Sequence, residues 1–520
     1  MAARFWVTGG TGNWNSTTNW SATTGGASGA SVPSTADTAT YDASSGSGTA
    51  TLDISPTVQT LTMTGFTGTL AFGTNTISLN STGTIFTGAT TMTVTGTPLI
   101  ICTNSSATAR TITPTAVTEA NSVSFRITAG TGALTLTVGA YRNLDFTDGI
   151  NPTGYAGTLG NSSLSIYGSF KASTGMTRTA GTSTYAFVAT SGTKTIDTAA
   201  VVFDNPFTFN GVGGTFQLAS ALTSGATRTC TLTNGTLDLA SYTLTTGAFS
   251  SSSSNTRVLA FGTGKIVLTG VNSTVWTTNT ATGFTMSGTR TVELTGVGVG
   301  GETRTISAGS IAAGGAATNA ADFYIKAGAD IISFTLVNRA VRTVDFTGFT
   351  GSTLTNIQPN IYGDLVLSTG MTVTSGTIAW VFAATTSQTI TTNGKTLDFP
   401  ITFNGIGGTF ACQDALTLGS TQPLTLTNGT LQLKSGTTNT VGSFATSGTN
   451  QKFLSATTPG SQATLSDASG TNSVSYLTIQ DSAATGGAVF QAFTSNFNVD
   501  AGNNTGWKFS NNGGNFLMFF

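Results

Sequence analysis

Carboxylates are the groups in this chain best suited to do chemistry, because it contains no histidine. That absence removes Ser-His-Asp and Cys-His mechanisms and any histidine-ligated metal. Of the 20 acids, three are glutamates: Glu119, Glu293 and Glu302. Two carboxylates at glycosidase separation can hydrolyse a polysaccharide, and stacked strands can bring acids together from distant parts of a chain. Asp145 of "LDFT" and Asp345 of "VDFT" occupy matching places in two similar stretches. Placement in both argues for a turn or ladder role over a reacting one. Cys102, Cys230 and Cys412 are odd in number and far apart, which gives neither a disulfide framework nor metal-ligand spacing. "NGKT" (Asn393–Thr396) ends like a phosphate loop, but Thr389 stands where that loop needs its first glycine. "GGASGAS" (Gly25–Ser31) lacks the nucleophile-elbow spacing and reads as a loop. The sequons at Asn15, Asn80 and Asn104 arise by chance in a chain this rich in Ser and Thr. The expectation is a protein without catalytic, cofactor-binding or metal residues, and not an enzyme.

Aromatic side chains are the remaining candidates. Trp276 in "STVWTTNT" has polar flanks, which predicts an exposed ring and a candidate glycan contact. Trp380 in "IAWVFAA" matches Tyr185 and is expected in the core. Half of the six Trp fall in the first 20 residues: Trp6, then Trp14 and Trp20 in "GGTGNWNSTTNW".

The scaffold that must position these residues is written in the composition. Charged residues are 8% and net charge is −1, so there is no basic patch for nucleic acid. No apolar run is long enough to span a membrane. Thr and Ser dominate with 66 Gly, while 38% hydrophobic content and 32 Phe supply a core. Thr and Val favour strands and Gly punctuates them. The start, "MAARFWVTGGTGNW", has no apolar segment of signal-peptide length, so the expectation is synthesis in a cytoplasm without a signal peptide.

A long internal duplication organises the chain. "PFTFNGVGGTFQL" (Pro206–Leu218) returns as "PITFNGIGGTFAC" (Pro400–Cys412), and "LTNGTLDL" (Leu232–Leu239) as "LTNGTLQL" (Leu426–Leu433), both offset by 194. The offset drifts to 198 at Phe125/Phe323 and 200 at "LDFT"/"VDFT", then returns to 195 at "IYGSFKASTGMT" (Ile166–Thr177). Such drift marks loop insertions around a fixed scaffold. It predicts an N-terminal cap or attachment region (1–59), two repeat units (60–255 and 256–450) and a C-terminal β region with its cap (451–520).

Within a unit, "CTLTNGTLDLASYTLTTGAF" (Cys230–Phe249) alternates apolar and polar residues between "TNG", "AS" and "TTG" turn signals. No helical stripe stands out. The fold class expected is all-β, an elongated parallel β-helix (β-solenoid) with capped ends, favoured over an array of sandwiches because long strands with a buried central Trp are missing. Coils of roughly 20–25 residues stacked at ~4.8 Å would give a rod on the order of 100 Å. A first coil exposes core and an open sheet edge, and both need covering. Trp6, Trp14 and Trp20 are expected to form that lid, with Trp507 and Phe509 of "TGWKF" at the other end.

The head, with Trp14, Asn19–Trp20–Ser21, Val32–Pro33, Asp37 and Tyr41, and the closing "VDAGNNTGWKF" (Val499–Phe509), resemble Gly/Thr-rich β-helical virion structural and fibre proteins of tailed bacteriophages. Related openings occur in bacterial surface proteins with autotransporter-like repeats. The resemblance implies a non-enzymatic tail fibre, spike or capsid fibre that meets the host surface, with other virion proteins and a host glycan or receptor as partners. It also implies a homo-oligomer, often a trimer, in the virion. The alternatives are a bacterial cell-surface adhesin or S-layer-like protein, a polysaccharide depolymerase tailspike, and ice binding through outward Thr pairs such as Thr93 and Thr95.

Overall fold

In the computed structural model, residues 2–115, 118–280, 282–309, 320–335, 339–354 and 359–510 are described. The last ten residues of the 451–520 tail lie outside them. The chain is all-β and folds as a parallel β-solenoid. Helical structure among the described residues is confined to single 3-10 turns such as Thr17–Asn19 and Glu119–Asn121. Contacts group the chain into two compact units. Unit 1 comprises Met1–Gly247, Asn255–Lys265 and Ser287–Thr289; unit 2 comprises Ala248–Ser254, Ile266–Met286 and Arg290–Phe520.

Alternation in the sequence becomes an inward and an outward face because successive strand residues point to opposite sides. Parallel pairing in register then stacks like on like. In unit 1 the inward column runs Ile77, Ile100, Phe125, Leu144, Phe170, Ile196 and Leu218, each paired with the next. All seven are at most 2% exposed. A second inward column runs Ile166, Phe187, Phe209 and Leu232. There the Phe187 and Phe209 rings lie nearly parallel, 5.4 Å apart. Such ring pairs add about 0.5–1.5 kcal/mol beyond area burial.

Unit 2 repeats the plan with Val292, Phe323, Val344, Leu365, Ile390 and Cys412 in one column. Its strand Ile401–Cys412 has the same inward and outward pattern as Phe207–Leu218 of unit 1. Each of these two strands is 12 residues long. "TNG", expected as a turn between strands, instead lies inside the strands Thr229–Asp238 and Pro423–Leu433. The chain bends there without leaving the sheet, and pairing shifts register at Asn210/Asn234 and Asn404/Asn428. Gly235 and Gly429 supply the left-handed backbone (φ +76° and +87°) that the bend requires.

At the start of unit 1, strand Ala2–Trp6 pairs in parallel with Asp37–Thr40, and its other edge is covered antiparallel by Trp20–Ser21. The reversed strand ends the parallel run. Residues 1–59 are therefore continuous with the coils, since Asp37–Thr40 pairs onward with Thr60–Thr62.

Candidate binding surface

Four strands of unit 1, Ser124–Ile127, Leu144–Asp145, Phe170–Lys171 and Thr193–Asp197, place one outward residue each in a column. The column reads Arg126, Asp145, Lys171, Asp197, each paired with the next. Strand neighbours are ~5 Å apart, so alternating signs attract where like signs would repel. Arg126 Nε donates to Asp145 Oδ2 at 2.9 Å. The other oxygen of Asp145 accepts from the Thr147 N–H (3.0 Å) and hydroxyl (2.7 Å).

Beside this column lies an open groove of about 610 Å³. Pro98 and Leu99 give it an apolar component, and Thr76, Thr97, Asn143 and Ser169 give it polar walls. Arg126, Arg142 and Lys171 line it against a single acid, Asp145. Arg142 Nη2 donates to the Glu119 carbonyl (2.9 Å), while its buried Nε has no partner. Asn143 ties coils together: Nδ2 donates to Ser124 Oγ (3.0 Å) and Oδ1 accepts from the Ser169 N–H (2.7 Å). Asp148 is exposed. Hydrogen bonds from Asn151, then from Ile150, hold its carboxyl below the usual range, and Lys171 adds to this. The lining suits a polyhydroxylated, negatively charged ligand. It does not suit acid–base chemistry, because Asp145 is fixed between a turn and an arginine.

The matching face of unit 2 has the same coils and different charges. Its column reads Tyr324, Asp345, Val366, Thr391. Asp345 keeps the turn bond, accepting from the Thr347 N–H at 2.7 Å. Asp322 and Asp364 stand where unit 1 has Ser124 and Ser169. Asp322 Oδ2 lies 3.3 Å from Arg342 Nη2, whereas no carboxylate among the described residues pairs with the matching Arg142.

Trp276 is not a glycan contact. Its ring is 1% exposed, stacked on Phe249 at 5.0 Å and edge-on to Phe323 at 5.6 Å. Its N–H donates to the Thr278 hydroxyl at 3.0 Å. The polar flanks misled because in "VWT" both Val275 and Trp276 turn inward, where pairing with Arg304–Ile306 skips a residue. Trp380 is buried as well.

Trp6, Trp14 and Trp20 are buried and gather around Tyr41, with ring centroids 5.5, 6.1 and 5.7 Å from it. Trp507 is buried against Phe490 at 5.2 Å, and the Phe509 carbonyl accepts from the Thr494 N–H. The cysteines are separate buried thiols. Outward Thr49, Thr69 and Thr93 form a column, but the next reads Thr51, Ala71, Thr95, so the Thr lattice is interrupted.

Comparison with family models, with curated proteins and with solved structures finds no match for this chain. The groove was invisible to motif reading. Arg126, Arg142 and Lys171 are 16 to 45 residues apart, and only the register brings them together.

Proposed function

We propose that this chain is a non-enzymatic structural protein of a bacteriophage virion, a tail or capsid fibre or spike whose coils hold an exterior surface against host-cell glycans. The observation that carries the reading is the groove of unit 1. It is open and polar-walled, and its volume lies in the ~300–1,000 Å³ range of ligand sites. The stacked coils supply stiffness, and the low charge elsewhere suits contact with neutral or weakly charged surfaces. A structural role is further supported by Asp145 and Asp345, the duplicated acids, which serve turns in both units.

Immunogold labelling of purified virions with an antibody against the chain tests this. Label on the particle is expected. Particles without label, with the protein on bacterial cells, would favour the cell-surface adhesin. Shortening of host polysaccharide by the pure protein would instead favour a depolymerase.

A further inference from the structure

We propose that the groove of unit 1 binds a carboxylate-bearing polysaccharide, a chain containing uronic acid residues. Lys171 and Arg142 take the carboxylate, and Asn143 and the neighbouring threonines meet ring hydroxyls. This deepens the surface-contact reading above and rests on it.

Unspent donors are the first reason. The Lys171 ammonium makes no hydrogen bond to a described residue, and Arg142 has no carboxylate partner among them. Arg126 keeps one face occupied by Asp145 and still lines the groove. Charge-assisted hydrogen bonds are among the strongest a site can offer, and guanidinium geometry matches a carboxylate.

The duplication supplies the second reason, because it acts as an internal control. Both units keep the inward column and the turn aspartate. Unit 2 nevertheless carries Tyr324 for Arg126 and Val366 for Lys171, so the coil does not need those cations to stack. A charge that the scaffold can do without, set in a groove, has a use outside the scaffold. Only 19 Lys and Arg occur in 520 residues, and three line this one groove. The shape fits as well: an open groove on a stacked exterior admits the middle of a polymer, not only its end.

The competing occupant is the acidic face of unit 2, with Asp345 and Asp364, presented by a second copy of the chain. A wide groove with hydroxyl-rich walls favours sugar over that protein face.

Titration calorimetry of the full chain with polygalacturonate, and with neutral dextran of similar length, tests the site. Arg126→Tyr and Lys171→Val import the residues that unit 2 already carries at these places, so both variants are expected to melt near the parent temperature. Polygalacturonate is expected to bind and dextran not. Each variant should weaken binding about tenfold or more. Raising salt should weaken it too, as charges beyond a Debye length of ~8 Å are screened. Equal binding of dextran, or unchanged affinity in both folded variants, overturns the proposal. Salt-sensitive self-association abolished by the variants, without polygalacturonate binding, overturns it in favour of a second copy. Labelled virions with no polygalacturonate binding would remove this site alone, whereas binding by a protein absent from virions would remove only the fibre reading.

Discussion

Asp330 holds the guanidinium of Arg304 with both carboxylate oxygens, Oδ2 accepting from Nε at 2.6 Å and Oδ1 from Nη2 at 2.8 Å. Both side chains are fully buried in unit 2. Arg110, the matching residue of unit 1, is as deeply buried but has Gly132 where the acid would stand. Its guanidinium donates to the Asn104 and Ala129 carbonyls and lies 5.5 Å from the Tyr155 ring. Burial lowers the pKa of Arg110. One scaffold thus carries a buried cation in two ways.

Removing the acid from the first arrangement strands a charge. Asp330→Ala is expected to cost about 3–5 kcal/mol, because an uncompensated buried charge is left behind. The half-exposed pair Arg228–Asp204, at 2.7 Å, is the control. Asp204→Ala should cost less than about 1 kcal/mol. Urea unfolding of both variants separates them, and equal losses would refute the difference. Gly132→Asp should not rescue unit 1, since a Cβ there would stand 2.4 Å from the Thr108 carbonyl oxygen.

The N-terminal tryptophans are buried alike but bonded differently. Trp20 Nε1 donates to the Trp14 carbonyl at 2.8 Å, while the buried Trp14 Nε1 has no partner. Trp14→Phe and Trp20→Phe lose similar ring volume. Only the second also orphans a buried carbonyl, and the first removes an orphaned donor. Trp20→Phe is therefore expected to be the more destabilising, by about 1–3 kcal/mol. Melting followed by circular dichroism checks the order. Alanine at either site should cost more, about 3–5 kcal/mol, through the cavity it opens.

The fold was legible because its signals are redundant: alternation, Gly punctuation and a 194-residue duplication all point to stacked coils. The burial of Trp14 and Trp20 follows from the same logic, since an open coil end must be covered. Two readings failed where tertiary context overrides a local rule. "TNG" is a turn signal in isolation, yet here Asn234 pairs with Asn210 and the strand continues. Trp276 looked exposed because adjacent residues normally face opposite ways, and the irregular pairing at Thr274/Trp276 breaks that alternation. The groove was out of reach for a different reason. Its residues belong to different coils, and coil length varies enough that register cannot be counted from sequence.

The three thiols are expected to be silent. Burial pushes the thiols of Cys102 and Cys412 up to about 12, and that of Cys230 higher still. The thiolate is the reactive form. An Ellman assay at pH 8 should therefore detect no thiol in the native protein and all three after denaturation. Rapid native labelling of any of them would mean that its coil opens under these conditions.

An outward ladder of asparagines offers the sharpest test of how the coils are held together. Asn428 donates through Nδ2 to Asn404 Oδ1 at 2.7 Å and accepts on Oδ1 from Asn450 Nδ2 at 2.8 Å. These partners are 24 and 22 residues away, one coil to either side. Unit 1 has the same step from Asn234 to Asn210 at 2.6 Å. All of these bonds are exposed, so each is worth about 0.5–1.5 kcal/mol net. Asn428→Ala breaks two bonds and Asn450→Ala one, so the first should cost about twice the second. The double variant should cost less than the sum, because the two share a bond. The next residue raises the stakes: Gly429 sits at φ +87°, and a Cβ there would stand 2.4 Å from the Gly405 carbonyl oxygen. Gly429→Ala must strain the backbone and push neighbouring coils apart. It is expected to destabilise unit 2 more than Asn428→Ala does, and urea midpoints of the four variants give the order directly. If Gly429→Ala were neutral, the bend would not depend on close approach of the coils.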